Sequence, residues 1–227
     1  MTPGRDSTAS RSARIRRVPT SEQVSQHIRL LIFDGVLRPG DRIPQDAIAA
    51  ELGVSRIPVR EALIEMARDG LVVNEPHIGA FVGDFDEQVV RDHFEIVASL
   101  QGMAAERLAA MGDPEVLAQL RELAALVERS TDPDEIHRAA IEFQRVVNHG
   151  GGSSRIRAVL RALGRMFPSG VFDRIPGSAE VQQKAIAQTW AAIEEGSAAA
   201  IRESFAAANR ARSDVIIDEL RARGTID

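Results

Sequence analysis

Short helical patterns follow one another between residues 21 and 83, and each is stopped by a glycine. Apolar residues recur at three- and four-residue spacing in every pattern, which places them on one face of a helix. A glycine just after such a run is typical of a helix end. The segment therefore predicts three short helices packed on one another. In chain order they are 21–34 before Gly35, 45–52 before Gly53, and a third helix capped by Ser55 and stopped by Gly70.

Two short β-like runs complete this segment, at 71–73 and 80–82. Residues 74–79 between them include Asn, Pro and Gly, so the pattern predicts a small hairpin. Three helices followed by a hairpin make the plan of a winged helix-turn-helix domain. Its third helix can lie in the major groove of DNA, while the hairpin, or wing, touches the neighbouring groove or backbone. Residues 21–83 are therefore predicted to bind DNA.

Two arginines mark the third predicted helix as a candidate reading element. Arg56 and Arg60 are four residues apart, so they share a helix face, which lies away from the apolar stripe. Arginine can read guanine through two hydrogen bonds. Such a pair often does no more than solvate a helix surface, but the order of the surrounding elements favours base contact.

The chain after residue 83 contains helical patterns and no run that alternates with a period of two. Acids precede proline at Asp113-Pro114 and Asp132-Pro133, which is typical of helix starts, and Glu135 stands where it could complete a capping box. Gly150 to Gly152 are expected to close a helix. The predicted helices are 86–111, two that start at Pro114 and Pro133, then 153–167, 178–195 and 197–221.

These patterns predict a mostly α protein. A winged helix-turn-helix domain at 21–83 is followed by an all-α bundle of about six helices at 84–227. Residues 1–20 are rich in Ser and Arg and lack an apolar stripe, so we interpret them as a flexible arm.

Composition excludes several classes of protein. The chain has no Cys, which removes disulfides, thiolate metal sites and a Cys nucleophile. No apolar run is long enough to cross a bilayer and no signal sequence is evident, so we expect a cytoplasmic protein without a membrane partner. The five His residues show no zinc-enzyme spacing and no nucleophile motif occurs, so we predict that the protein is not an enzyme.

Three motifs make the first domain recognisable: LRPGDRI from residue 37, LGVSRIPVREAL from residue 52 and DGLV from residue 69. Together they resemble the DNA-binding domain of the GntR family of bacterial transcription regulators. In one departure, Gln45 and Asp46 stand where the family often has a basic residue. The resemblance implies that the third helix faces base edges and phosphates and that the wing enters the minor groove. The predicted DNA-contact residues are Arg42, Ser55, Arg56, Ile57, Pro58, Arg60, His77 and Gly79.

The helical region resembles, more loosely, the ligand-sensing (FCD-type) domain of the FadR branch of that family. The likeness is carried by 95–110, by the helix around Phe143 and by AIEEG at 192–196. It implies a bundle that dimerises around a central effector pocket. Many members hold a divalent metal there on one Asp and three His. We predict no metal cofactor here, because the matching positions are Ala140, Gln144, Gln183 (or Ile186), and Ala208 or Asn209.

The residues left for the pocket are neutral. An arginine common on the first helix of this domain is replaced near Val97, and Gln101 replaces the usual Glu. Such a lining predicts a small-molecule effector with little charge. The predicted effector contacts are Gln101, Gln144, Asn148, Gln183 and Asn209, interspersed with Phe143, Trp190 and Phe205.

The sequence as a whole predicts a ligand-responsive repressor. We expect it to bind a palindromic operator in double-stranded DNA as a homodimer, in the cytoplasm and associated with the nucleoid. The alternative is a regulator whose helical domain only dimerises or binds a protein partner, without sensing a small molecule. A metal-dependent enzyme built on the bundle is a further, weaker alternative, since it would require a metal site.

Overall fold

The structure is a computed structural model that describes residues 20–168 and 170–226. The predicted arm at 1–20 lies outside the described residues, apart from Thr20.

Three short helices and a two-stranded sheet form the first domain, as predicted. The helices α1 (Thr20–Phe33), α2 (Gln45–Glu51) and α3 (Arg56–Arg68) end within two residues of the predicted positions. Strands β1 (Val72–Glu75) and β2 (Gly79–Val82) pair antiparallel, with Val72 opposite Val82. Apolar side chains from all three helices and both strands fill one core, including Ile28, Ile48, Leu63 and Val82.

Six further helices form the second domain within the described residues, which confirms the predicted fold class. Asp113 and Asp132 cap two of these helices as predicted, because the side chain of each accepts a backbone N–H. The side chains of Asp86, Ser153 and Ser197 cap three more in the same way. The helices are α4 (Glu87–Met111), α5 (Pro114–Arg129), α6 (Pro133–Gly150), α7 (Ser154–Leu163), α8 (Ser178–Glu195) and α9 (Ala198–Ala222), with a 3-10 turn at Phe172–Arg174.

Several predicted details of this domain are wrong. The helix predicted at 153–167 ends at Leu163, because Gly164 and Pro168 interrupt it, and the chain continues as an irregular loop. Glu135 forms no capping box: its Oε2 accepts from Ser130 Oγ at 2.5 Å instead of a backbone N–H. The predicted helix 86–111 also contains apolar residues that do not face the core: Ile96 and Met103 are 50% and 43% exposed, because α4 buries a face richer in small residues.

The glycines at 150–152 lie where two helices come close together. They do close α6, as predicted, yet none of them adopts a positive φ that would require glycine. A Cβ on Gly151 would lie 2.8 Å from the backbone nitrogen of Leu108 and closer still to the carbonyl oxygen of Ala104. Glycine is therefore needed here for the contact between α6 and α4.

The two domains share one continuous apolar core. Phe85 and Phe94 join the side chains of α1 to Val171 on the loop and Ile216 on α9. At the end of α9, Thr225 Oγ1 donates to the carbonyl oxygen of Ile32 or Phe33, 3.3 Å from each. The DNA-binding unit is thus packed directly on the bundle. Within the described residues, no helix combines the length and the apolar character that a membrane span requires.

Candidate nucleic-acid interface and internal cavity

The start of α3 presents an exposed surface. Ser55, Arg56, Ile57 and Arg60 are all exposed, and the apolar side chain of Ile57 is 67% accessible. Pro58 lies between them and is half-buried. Ser55 occupies the N-cap position as predicted, but its side chain makes no capping hydrogen bond. The first amides of α3 are therefore available to an anion such as a phosphate.

An acid from α2 holds the first of the two predicted reading arginines. Arg56 Nε lies 2.6 Å from Asp46 Oδ1, and the two side chains are 73% and 69% exposed. Asp46 is one of the two residues, with Gln45, that stand where the family often has a basic residue. An exposed pair of this kind contributes little to stability. Arg60, one turn further along α3, has no such pair among the described residues.

A third cation lies beside the wing. Arg42 pairs with Phe81 beside the hairpin, and its Nη2 donates to the carbonyl oxygen of Ile78 at 2.9 Å. A Cβ on Gly79 would come within 3.0 Å of Arg42 Nε, so glycine makes room for this guanidinium. At the tip, His77 is exposed and has a φ of 65°, which is uncommon for a residue other than glycine. DNA contact by the predicted residues on α3 and the wing remains a prediction.

The helical domain contains a partly open cavity of about 330 Å³, between α4, α6, α7, α8, α9 and the loop that follows α7. Four of the five predicted effector residues line it. Its polar lining consists of His93, Gln101, Gln144, Asn148, Asp173, Gln182, Asn209 and Arg212.

Gln183, the fifth predicted residue, does not line the cavity. Its Nε2 donates to the backbone carbonyls of Val127 and Ser130, both at 2.9 Å, so the amide closes the turn between α5 and α6. Its neighbour Gln182 faces the cavity instead. Consecutive helical residues are about 100° apart around the axis, so a one-residue error selects a different face.

The aromatic part of the lining also differs from the prediction. Phe143 and Phe205 are buried in a separate core, and Trp190 lies under the guanidinium of Arg121. The cavity is lined instead by Phe94 from α4 and by Phe167 and Phe172 from the irregular loop. The rings of Phe94 and Phe167 are stacked, with centroids 5.8 Å apart.

Amide side chains form a small network along one wall. Asn209 Nδ2 donates to Gln101 Oε1 at 3.1 Å and to the carbonyl oxygen of Phe205 at 2.9 Å. Asn148 Oδ1 is buried and lacks a hydrogen-bond partner in the structure. His93 sits at the edge of Phe167, and burial lowers the pKa of His93 to about 4, so its ring is neutral at physiological pH.

Arg212 of α9 is the main residue that the sequence analysis missed. It is 6% exposed, and its Nη2 lies 3.5 Å from Gln182 Oε1. No acid forms an ion pair with Arg212 in the described part of the chain. Burial lowers the pKa of Arg212 to about 10, which leaves the guanidinium charged at neutral pH. A sequence signal existed, because Arg212 follows Phe205 and Asn209 at helical spacing along the apolar stripe of α9.

The metal site that many family members hold on one Asp and three His is not evident in the residues that the structure describes. They contain no group of three or more His, Asp or Glu side chains arranged to hold a metal ion. The absence of a metal cofactor remains a prediction.

One Ser, His and Asp lie close together next to the cavity. His137 Nε2 is 3.1 Å from Ser178 Oγ, and His137 Nδ1 is 3.6 Å from Asp173 Oδ1. The Ser178 hydroxyl, however, donates to the carbonyl oxygen of Phe172 at 2.6 Å, and Ser178 is 2% exposed. A nucleophile needs access to its substrate, so this group pins the loop to α6 and α8.

The loop after α7 also contacts the DNA-binding unit. Arg165 Nη2 lies 3.8 Å from Asp69 Oδ1, and Asp69 is the C-cap of α3. Asp69 Oδ2 lies 3.4 Å from Nη2 of the buried Arg29 of α1. Since Phe167 of the same loop lines the cavity, this short stretch touches both the cavity and the end of α3.

Two protein families match this chain over separate ranges. Residues 20–82 match the family described as bacterial regulatory proteins, gntR family, and residues 92–219 match the FCD domain. An uncharacterized HTH-type transcriptional regulator of Mycobacterium tuberculosis strain H37Rv is 36% identical over 151 residues, which are 66% of this chain and 62% of the relative. The alignment thus spans less than two thirds of that relative's length.

Two further proteins are similar to this chain, one over part of it and one over most of it. The probable D-xylose utilization operon transcriptional repressor of Paenarthrobacter nicotinovorans is 37% identical over 99 residues, 44% of this chain and 43% of that protein. The solved structure of E. coli McbR/YncC superposes with a TM-score of 0.60 at 20% identity, and covers 89% of this chain and 99% of that one. At this level of identity, the structural likeness supports the fold alone.

Proposed function

This chain belongs to the GntR family of bacterial regulatory proteins, among the transcriptional regulators with an FCD domain, and we propose that it is a ligand-responsive repressor. As a homodimer it binds a palindromic operator, and a small molecule in the bundle cavity changes its affinity for that operator. It acts at the nucleoid, in the cytoplasm. The observation that carries the proposal is the exposed start of α3 on a domain that is packed directly onto a cavity-bearing bundle.

The DNA-binding part of the proposal rests on α3 and the wing. Arg60 and Arg56 present guanidinium groups at the helix start, where free amides add a site for a phosphate. Exposed Ile57 can contact a thymine methyl group. The name of the relative from Paenarthrobacter nicotinovorans supports repression as the direction of control.

A groove between α4 and α9 supports the homodimer. Its floor contains Ala98, Met103 and Ala206, and its rims carry charges of both signs, including Glu95 and Arg210. A two-fold axis places the same groove of two copies face to face, so charges of opposite sign on the two copies can pair. A second copy of the chain therefore covers the groove and sets the distance between the two α3 helices.

The cavity favours sensing over the alternative of a bundle that only dimerises. The cavity lining contains a buried cation and an amide oxygen without a partner, and both destabilise the fold while the cavity is empty. Dimerisation alone does not require either group. The loop after α7 supplies the route of response. A ligand that moves Phe167 also moves Arg165 relative to Asp69, and with it the end of α3.

Arg60→Ala is expected to weaken operator binding about 5- to 150-fold, since one good arginine contact to a base contributes roughly 1–3 kcal/mol. The operator is first selected from a random duplex library by the full-length protein, and affinities are then measured by gel shift. Arg68→Ala is the matched control, because Arg68 is exposed in the last turn of the same helix. Equal binding by the Arg60 variant and the wild type would remove Arg60 from the interface.

The selected sequences also test the assembly. A homodimer with two-fold symmetry selects two inverted half-sites, whereas a monomeric reader selects one. Sites without inverted symmetry would contradict the dimer proposal.

A further inference from the structure

We propose that Arg212 is the anion receptor of the cavity and that the effector carries a carboxylate or another oxyanion which pairs with its guanidinium. This inference rests on the proposed function, because it concerns the ligand of the same cavity. It replaces the prediction of a weakly charged effector with a definite chemical class.

Without a ligand, the buried positive charge of Arg212 is not compensated by an opposite charge. A buried cation is normally paired with an acid, since removing a charge from water is costly unless an opposite charge compensates. Among the described residues, Arg212 has no ion pair, and its contact with Gln182 Oε1 at 3.5 Å is at the limit of a hydrogen bond. An oxyanion is the group that completes this site.

The other residues of the cavity lining indicate the chemistry of the rest of the ligand. Asn148 Oδ1 is buried without a partner, so it can accept a hydrogen bond from a hydroxyl or amine group of the ligand. Phe94, Phe167 and Phe172 supply an apolar wall. A cavity of about 330 Å³ is at the lower end of the usual range for ligand pockets. The ligand is therefore a small organic acid, or a phosphorylated analogue of one, with at least one hydrogen-bond donor.

Asp173 does not neutralise Arg212, although it lines the same cavity. Its carboxylate lies 3.6 Å from His137 Nδ1, and it makes no ion pair with Arg212. The other titratable side chain of the cavity lining, His93, is neutral at physiological pH because burial lowers its pKa. The positive charge of Arg212 is thus left for the ligand, and no metal ion is required to attract an anion.

The test uses the full-length protein and a panel of short hydroxy acids, sugar acids, the matching sugar phosphates and the matching neutral amides. Binding is measured by thermal shift and calorimetry for the wild type, Arg212→Met and Arg161→Met. Arg161 is the control because it is an exposed arginine on α7, next to Leu160 of the cavity lining and away from the proposed dimer groove. We expect at least one acid or phosphate to bind the wild type and the Arg161 variant, and to bind Arg212→Met at least about tenfold more weakly.

The ligand-free variant gives a second readout. Methionine has a similar length without the charge, so Arg212→Met is expected to unfold at the same temperature as the wild type or higher. A large fall in its unfolding temperature would contradict an uncompensated charge at this position. The proposal is also overturned if no acid or phosphate binds, if the neutral amides bind as well as the acids, or if Arg212→Met keeps full affinity.

Operator binding separates this inference from the proposed function. If the wild type binds operator DNA but responds to the amides and not to the acids, the anion site is wrong and the regulator remains. If the wild type binds no DNA while Arg212 still captures an acid, the proposed function is wrong. Comparing the affinities of a carboxylate and a phosphate on the same carbon skeleton decides which oxyanion the site binds.

Discussion

Gly151→Ala is expected to lower the free energy of unfolding by about 3 kcal/mol or more. Overpacking a well-filled site usually costs about 1–3 kcal/mol, and more where the neighbours cannot move. The atoms that the new Cβ would strike belong to the backbone of α4 at Ala104 and Leu108, so relief requires a shift of the whole helix. Urea denaturation followed by circular dichroism measures the loss.

A second glycine provides the control for this substitution. Gly196, after α8, has a φ of 74° and no atom within 4 Å of an added Cβ. Gly196→Ala is therefore expected to cost only the backbone strain, about 1–2 kcal/mol. If the two variants lost equal stability, close approach between α6 and α4 would not be the reason for glycine at 151.

Asp69→Ala is expected to destabilise the protein by about 3–5 kcal/mol, the usual consequence of removing one partner of a buried ion pair. Arg29 is left without its carboxylate while its side chain is 2% exposed, and its Nε and Nη1 already lack partners. Burial lowers the pKa of Arg29, because removal from water disfavours the charged guanidinium. Denaturant unfolding of the full-length protein measures the effect.

The double variant Arg29→Met with Asp69→Ala tests the cause. Removing both charges leaves neither of them buried alone, so most of the lost stability should return. A double variant as unstable as Asp69→Ala would show that Asp69 acts through Arg165 or the end of α3 rather than through Arg29.

The elements were predictable where local chemistry determines them. Glycines at 53 and 70 and the acids at 113 and 132 act within one helical turn, so the ends of α2 and α3 and the starts of α5 and α6 follow from neighbouring residues. The exposed face of α3 was predictable for the same reason, since Arg56 and Arg60 share a face whatever the rest of the chain does.

The cavity was less predictable because distant segments build it. The helical repeat alone could not decide whether Gln182 or Gln183 faces the cavity. The answer depends on where the turn between α5 and α6 lies, because Gln183 binds that turn. The loop that supplies Phe167 and Phe172 has no repeating pattern, and 153–167 was predicted as a continuous helix. Arg212 lay on the apolar stripe of α9, but only the packed bundle reveals that no acid reaches it.

The ion pair between Arg56 and Asp46 affects the affinity for DNA and its salt dependence differently. A free arginine that reaches a phosphate displaces mobile cations from the DNA, and the slope of affinity against salt concentration counts those cations. In the proposed complex Arg56 must first leave Asp46, and breaking this exposed ion pair has a small cost. A salt titration therefore counts the phosphate contact of Arg56 in full, whereas the affinity gains less from it than from an arginine without such a pair.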